Sequence, residues 1–212
     1  MKLTNDTIIK STSYDQNEIM ENIINLYIPK GHFDYDPTYS KGNFYKKTVQ
    51  KPKFKSDLIN GEDFIADANN LPIKDNVFDS ICFDPPFVMG SGPSVENPKD
   101  GSNIINRRFG IFKNERDLWG FYKNSLKELY RILKHKGVLV FKCQDCFVSS
   151  RQCLSHVTVI NYAYNIGFYP QDIFILLAKN RVLSGKVKNQ IHARKYHSYF
   201  VVLKKIPPKV AY

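Results

Sequence analysis

"NVFDSICFDPPF", residues 76–87, runs from an apolar segment straight into an acid, two prolines and an aromatic ring. Residues 76–83 read as a buried strand, because Val77, Phe78, Ile81, Cys82 and Phe83 make a nearly continuous apolar run. Two prolines end a sheet ladder, since neither can donate a backbone N–H. A turn needs only one of them. The acid Asp84 and the ring of Phe87 at the same strand end therefore point to a site.

Upstream of this strand, residues 15–28 place Ile19, Ile23, Ile24 and Leu26 near helical spacing, with acids early as a helix start prefers. "GHFDYDPTYSKGNFY" (31–45) then reads as a short strand entering a turn that contains Gly42. "FKSDLI" (54–59) and "DFIADA" (63–68) are brief extended segments. Downstream, residues 88–116 are polar and aperiodic, a loop longer than ordinary connections. Residues 117–137 follow as a helix, with Leu118, Phe121, Tyr122, Leu126, Leu129, Tyr130 and Leu133 on one face. Lys134, His135 and Lys136 suit its last turn and Gly137 its stop. "GVLVFK" (137–142) is the next strand, and residues 149–167 form a helix ended by Gly167. "DIFILLA" (172–178) and "HSYFVVLKK" (197–205) close the chain as two strands, antiparallel because no helix separates them. Strands alternating with helices predict a mostly parallel sheet with helices on both faces. One domain over residues 1–212 is expected.

Lys and Arg total 31 against 20 acids, a formal charge of +11, which favours a polyanionic partner, nucleic acid above all. The start, "MKLTNDTIIKSTSYDQ", lacks a signal-type apolar run, and segments such as "IFILLA" fall short of a membrane span. A soluble cytoplasmic protein is expected, with no membrane partner. Cys143-x-x-Cys146 and Cys153-x-x-His156 have the spacing of zinc ligands. Cys82 and Cys143 lie in apolar strand-like runs, however, where a thiol is a small core residue. No metal is assigned.

An open parallel sheet binds ligands at the carboxyl ends of its strands. Those ends carry "DPTYSKG" (Asp36 to Gly42), Asp57, the pair Asp67-Ala68, "DPPF" (84–87) and "KCQD" (142–145), in that order. An acid after the second strand suits a ribose diol, because a carboxylate accepts from both hydroxyls. Asp67-Ala68 could accept from an adenine amino group. A lone strand-end Asp is usually a turn former or a helix cap. Four in order form a joint signal.

This order, with "LPIKDNVFDSICFDPPF" as its most specific part, resembles the class I S-adenosylmethionine-dependent methyltransferases. Within them it is most similar to the branch that methylates amino groups of nucleic-acid bases. The resemblance spans residues 15–205, and the tail "QIHARKYHSYFVVLKK" is similar to that of small phage and bacterial site-specific DNA methylases. It implies a Rossmann-like α/β fold with a mostly parallel seven-stranded sheet and an antiparallel last strand. It also implies S-adenosyl-L-methionine as cofactor. The methionine end would be held by Asp36, Pro37, Thr38 and Gly42, the ribose by Asp57, and the adenine by Asp67 and Ala68. Asp84, Pro85, Pro86 and Phe87 would be the catalytic segment, with Asp84 also beside the cofactor. Ser40 and Lys41 depart from the family pattern, which often has Gly-Ser there.

The chemistry explains the opening segment. An exocyclic base amine is a poor nucleophile, because its lone pair is delocalised into the ring. Asp84 can accept one N–H and the Pro85 carbonyl the other, which aims the lone pair at the methyl group. The prolines stiffen these acceptors, and Phe87 offers a face on which a flipped-out base could stack. The expected reaction is methylation of adenine N6 in DNA, since Asp before the prolines resembles adenine enzymes. Cytosine N4 in DNA, adenine N6 or guanine N2 in RNA, and a silent nucleic-acid-binding subunit remain open alternatives. Arg181, Lys186, Lys188, Arg194 and Lys195, in the acid-free stretch 179–195, are the candidate phosphate contacts. Arg107 and Arg108 in the 88–116 loop are candidate base contacts. DNA is favoured over RNA as partner. A chain this size leaves little room for a dedicated target reader, so a homodimer or a specificity partner is left open.

Overall fold

Asp15 opens the first helix, α1 (Gln16–Tyr27): its carboxylate accepts the Asn17 N–H at 2.9 Å, satisfying one of the unpaired donors of the first turn. The computed structural model describes residues 8–59, 62–87, 112, 114–148, 151–180, 189–190 and 192–206. Besides α1 it contains α2 (Glu115–Ile132) and α3 (Ser155–Asn165). The strands are β1 (Thr12–Ser13), β2 (Tyr35–Asp36), β3 (Phe54–Asp57), β4 (Phe64–Ile65) and β5 (Phe78–Phe83). They continue with β6 (Leu133–Cys143), β7 (Cys146–Val148), β8 (Arg151–Cys153), β9 (Tyr169–Leu177) and β10 (His197–Lys204).

Eight strands make one sheet in the order β1-β9-β10-β6-β5-β2-β3-β4, and β7 pairs with β8 apart from it. Within the eight, β10 alone runs antiparallel, inserted between β6 and β9. The strand order reverses at β2 and β5, the switch point where such sheets open a crevice for ligands. This is the Rossmann-like class I methyltransferase fold. The sheet has one strand more than the seven expected, because the two-residue β1 adds in parallel to the edge of β9.

Alternate residues of the central strands point to opposite faces, and each face has its own core. Ile81, Phe83, Leu139, Phe141, Val201 and Leu203 pack under α2 and α3, with Leu118, Tyr122, Leu126 and Val159. Cys82, Val140, Phe200 and Val202 face the other way, against Ile19, Met20, Ile23, Phe44 and Tyr45. Helices cover both faces, as the alternating pattern predicts. No helix among the described residues is long and apolar enough to cross a membrane.

Two element boundaries differ from expectation. The second long helix ends at Ile132, not at Gly137. Its last carbonyls are taken by groups distant in sequence: Asn76 N–H donates to the Arg131 oxygen, Val77 N–H to that of Ile132, and Lys205 Nζ to those of Tyr130 and Leu133. Lys136, at φ 64°, makes the left-handed turn into the body of the strand. Gly137 matters for space instead, because a Cβ there would lie 2.7 Å from Leu133 Cγ. The third helix starts at Ser155 rather than 149, since residues 151–153 pair with 146–148. It does end before Gly167, which takes φ 103°.

Candidate active site

The carboxyl ends of β2 to β6 surround a cavity of about 520 Å³, within the range of small-molecule sites. Asp36, Pro37, Thr38, Asp57, Asp67, Ala68, Asp84 and Pro86 all line it, so residues far apart in sequence meet in one place. Strand order fixes how they are laid out: Asp67 follows β4, Asp57 ends β3, Asp36 ends β2 and Asp84 follows β5. From β4 to β5 is three strand spacings, on the order of 14 Å.

The β2 turn is held from within. Asp36 is 1% exposed, and its Oδ1 accepts the Thr38 N–H at 2.7 Å and the Thr38 hydroxyl at 2.9 Å. Its Oδ2 accepts the Tyr45 hydroxyl at 2.7 Å. Burial nevertheless pushes the Asp36 carboxyl up to about 7, against those hydrogen bonds and with the Asp84 charge adding to the rise. Gly42 stands behind the wall and does not line the cavity. At φ 62° a Cβ there would lie 2.5 Å from the Tyr39 hydroxyl, so its bareness makes room for the Tyr39 ring, which stacks on Tyr45.

Asp57 and Asp67 each brace their own turns: Asp57 Oδ1 accepts the Ile59 N–H at 3.0 Å, and Asp67 Oδ1 the Asn69 N–H at 2.9 Å. Asp67 is exposed while Ala68 is buried.

The Asp84 segment is tied to the first turn by its backbone. Asp84 N–H donates to Thr38 Oγ1 at 2.8 Å. Its Oδ1 is buried and has no hydrogen-bond donor among the described residues; Lys142 Nζ approaches to 3.5 Å, an ion-pair distance. Burial pushes this carboxyl up, while Lys142 pulls it down. Pro85 is buried, and the Pro86 carbonyl faces the Tyr122 hydroxyl at 3.5 Å. Phe87 is half-buried and lies off the cavity wall. The rings that line it among the described residues are Tyr39, Phe44, Tyr45, Phe112 and Phe121, the last two with centres 5.4 Å apart. Helical spacing puts Phe121 on the apolar face of α2, and nothing in that spacing separates a cavity ring from a core ring. Lys142 escapes sequence reading in a different way. It stands in "KCQD", a strand-end segment, but nothing local links it to Asp84.

Arg107, Arg108, Arg181, Lys186 and Lys188 lie outside the described residues. Arg194 and Lys195 are half-buried in the segment entering β10. β9 runs parallel to β6, so β9 ends and β10 begins at the same edge of the sheet as the cavity. There His192 stacks on Phe147 at 3.9 Å. Cys146 and Cys153 face one another across β7 and β8 as free thiols, and the described residues hold no cluster of three or more metal-ligating side chains.

Neither a protein-family model nor a curated protein matches the sequence. Several solved structures are similar in shape. The [4+2]-cyclase SpnF superposes with a TM-score of 0.52 at 10% identity, over 91% of this chain and 82% of its own. TTHA0409 of Thermus thermophilus, whose proposed role is DNA modification methylase and which was crystallised with S-adenosyl-L-methionine, gives 0.44 at 16% identity. The match covers 69% of this chain and 56% of that one. The cytosine-N4-specific PvuII DNA methyltransferase gives 0.48 at 14% identity, over 68% and 49%. This chain thus spans about half the length of those two proteins. At 10% identity the likeness to SpnF is one of fold alone.

Proposed function

We propose that the protein transfers a methyl group from S-adenosyl-L-methionine to an exocyclic base amine, adenine N6 in DNA. The observation that carries this reading is the Asp84 carboxylate, which lines a ligand-sized cavity while its Oδ1 is buried beside Lys142 with no hydrogen bond among the described residues. A carboxylate with one oxygen buried and short of a hydrogen bond costs on the order of 1–3 kcal/mol, a cost tolerated where the group serves a ligand.

The cavity fits the cofactor in chemistry and in extent. Four carboxylates border it, matching a ligand that carries a sulfonium and an ammonium. Ala66, Ala68, Leu58 and Ile59 give an apolar slot beside Asp57 and Asp67 for a nucleoside. In this reading Asp57 holds the ribose, Asp67 and Ala68 the adenine, and Asp36, Pro37 and Thr38 shape the wall at the methionine end, with Gly42 behind them. When bound, the cofactor supplies an electrophilic methyl group.

The chain's own residues do the rest. The Asp84 carboxylate accepts one N–H of the amine, and the Pro85 carbonyl accepts the other. Both acceptors are fixed in advance, by two prolines and by the Thr38 bond to the Asp84 N–H. Attack leaves the amine nitrogen with one proton too many, and in this reading the Asp84 carboxylate takes it. Phe112 and Phe121 join Phe87 as candidate surfaces for the flipped base, and stacking of this kind contributes roughly 1–3 kcal/mol per base. Phosphates would be met by Arg181, Lys186, Lys188, Arg194 and Lys195, and bases beside the target by Arg107 and Arg108.

The test is transfer of labelled methyl from S-adenosyl-L-methionine to double-stranded DNA, single-stranded DNA and bulk RNA in parallel, followed by nucleoside mass spectrometry. N6-methyladenine in DNA is the expected product. N4-methylcytosine would keep the chemistry and change the base, and label in RNA alone would change the polymer. No label in any of them, with the cofactor bound, would overturn the reading in favour of a silent subunit.

A further inference from the structure

Lys142 ends the apolar run Val138–Phe141 of β6, and its side chain is only 13% exposed. A lysine at a strand end ordinarily runs its stem to the surface and leaves the ammonium in water. Here the ammonium stays inside, 4.6 Å from the centre of the Phe44 ring and 5.5 Å from that of Phe200. Phe200 is its register partner on β10, and Phe44 comes from the turn after β2. Three elements thus steer one cation to 3.5 Å from Asp84 Oδ1. The pairing follows from sheet register. Phe83 lies opposite Phe141, so the next residue on each parallel strand brings 84 beside 142.

We propose that Lys142 is a positioning residue that, by its charge beside the buried Oδ1, keeps Asp84 ionised and aimed, so that its carboxylate meets the base amine as an acceptor; this rests on the function proposed above. A protonated Asp84 would offer an O–H toward an amine N–H, donor against donor. The surroundings otherwise favour that proton. Asp36, from the β2 turn, adds a buried carboxyl beside Asp84. Cys82 on β5, Tyr45 on the β2 turn and Tyr122 on α2 are buried, and burial raises all three groups, so they stay neutral. Among the described residues Lys142 is the cation that opposes this environment. Phe44 and Phe200 hold it with their ring faces and bring no competing carboxylate, which leaves its charge to act on Asp84.

The test compares Lys142→Met and Lys142→Arg with wild type. The Asp84 carboxyl is followed by 13C NMR titration in the free protein, assigned through Asp84→Asn. Single-turnover methyl transfer is then measured from about pH 5.5 to about pH 9. In Lys142→Met the Asp84 midpoint rises by about one pH unit or more, and transfer near pH 6 falls about tenfold while the loss shrinks at high pH. Cofactor affinity stays within about threefold, and Lys142→Arg restores the midpoint. Lys142→Gln replaces the Met variant if the latter does not fold. An unmoved midpoint, or a loss of transfer equal at every pH, would overturn the proposal. A moved midpoint in a protein whose wild type methylates no acceptor would instead overturn the proposed reaction and leave the charge control of Asp84 intact.

Discussion

Thr38 Oγ1 accepts the Asp84 N–H at 2.8 Å and donates to Asp36 Oδ1 at 2.9 Å, so one hydroxyl ties the turn after β2 to the segment after β5. The two strands are neighbours in the sheet, and this bond ties the wall of the cavity to the Asp84 segment. Thr38→Val keeps the shape and removes both bonds. Stability is expected to fall by about 1–3 kcal/mol, since the Asp84 N–H loses its partner. Methyl transfer should fall at least tenfold. Thr38→Ser, which keeps the hydroxyl, should recover most of both; denaturant unfolding and the labelled-methyl assay read the two effects.

Asp84→Ala should abolish methyl transfer and leave cofactor binding largely intact. Calorimetric titration with S-adenosyl-L-methionine separates the two. Loss of binding together with transfer would make Asp84 a cofactor ligand or a structural residue. Asp84→Asn keeps an acceptor oxygen without the charge, and should retain measurable but reduced transfer.

Asp36 has a sign that can be checked. Folded, burial holds its carboxyl near 7; unfolded, it titrates at its ordinary 3.8. Between these values the folded chain binds the extra proton, so this group's contribution to stability is largest below about pH 4 and declines as pH rises through 7. Asp36→Asn removes that dependence. Urea unfolding at about pH 5 and about pH 8 should show wild type losing stability relative to the variant on going to the higher pH. A difference that is flat, or that grows with pH, would contradict the burial of this carboxyl.

Neutralising Lys186, Lys188, Arg194 and Lys195 together should weaken nucleic-acid binding and flatten its salt dependence. The slope of log affinity against log salt is expected to shrink by about 0.9 for each phosphate no longer neutralised. Transfer to a free nucleoside should not change. An unaltered salt slope would remove this stretch from the interface.

How far the site is legible in the sequence depends on whether the signal is local. Asp36, Asp57, Asp67 and Asp84 can be found because each sits where an apolar run gives way to turn residues, and that transition is written in a handful of neighbouring positions. Phe121 cannot, because a ring on the apolar face of a helix looks the same whether it meets core or cavity. Gly137 misleads for a related reason. A glycine after Lys134, His135 and Lys136 has the composition of a helix stop, yet the helix has already ended, its carbonyls captured by Asn76, Val77 and Lys205. Residues 151–153 read as helix because a three-residue pairing with 146–148 leaves no periodic trace.

Local pattern along the chain was enough to set which segments become strands and helices in the main, their order, and that acids end the strands that matter. Periodicity and turn chemistry act over a few residues, so a linear text can carry them. Packing in three dimensions was needed for the rest: that Lys142 meets Asp84, that Gly42 yields its space to Tyr39, and that Thr38 joins two strand ends. Those relations arise from register between strand ends 46 to 58 residues apart or from close packing inside a turn. The free energy that selects them comes from burying the whole sheet at once, and no short stretch of the chain contains it.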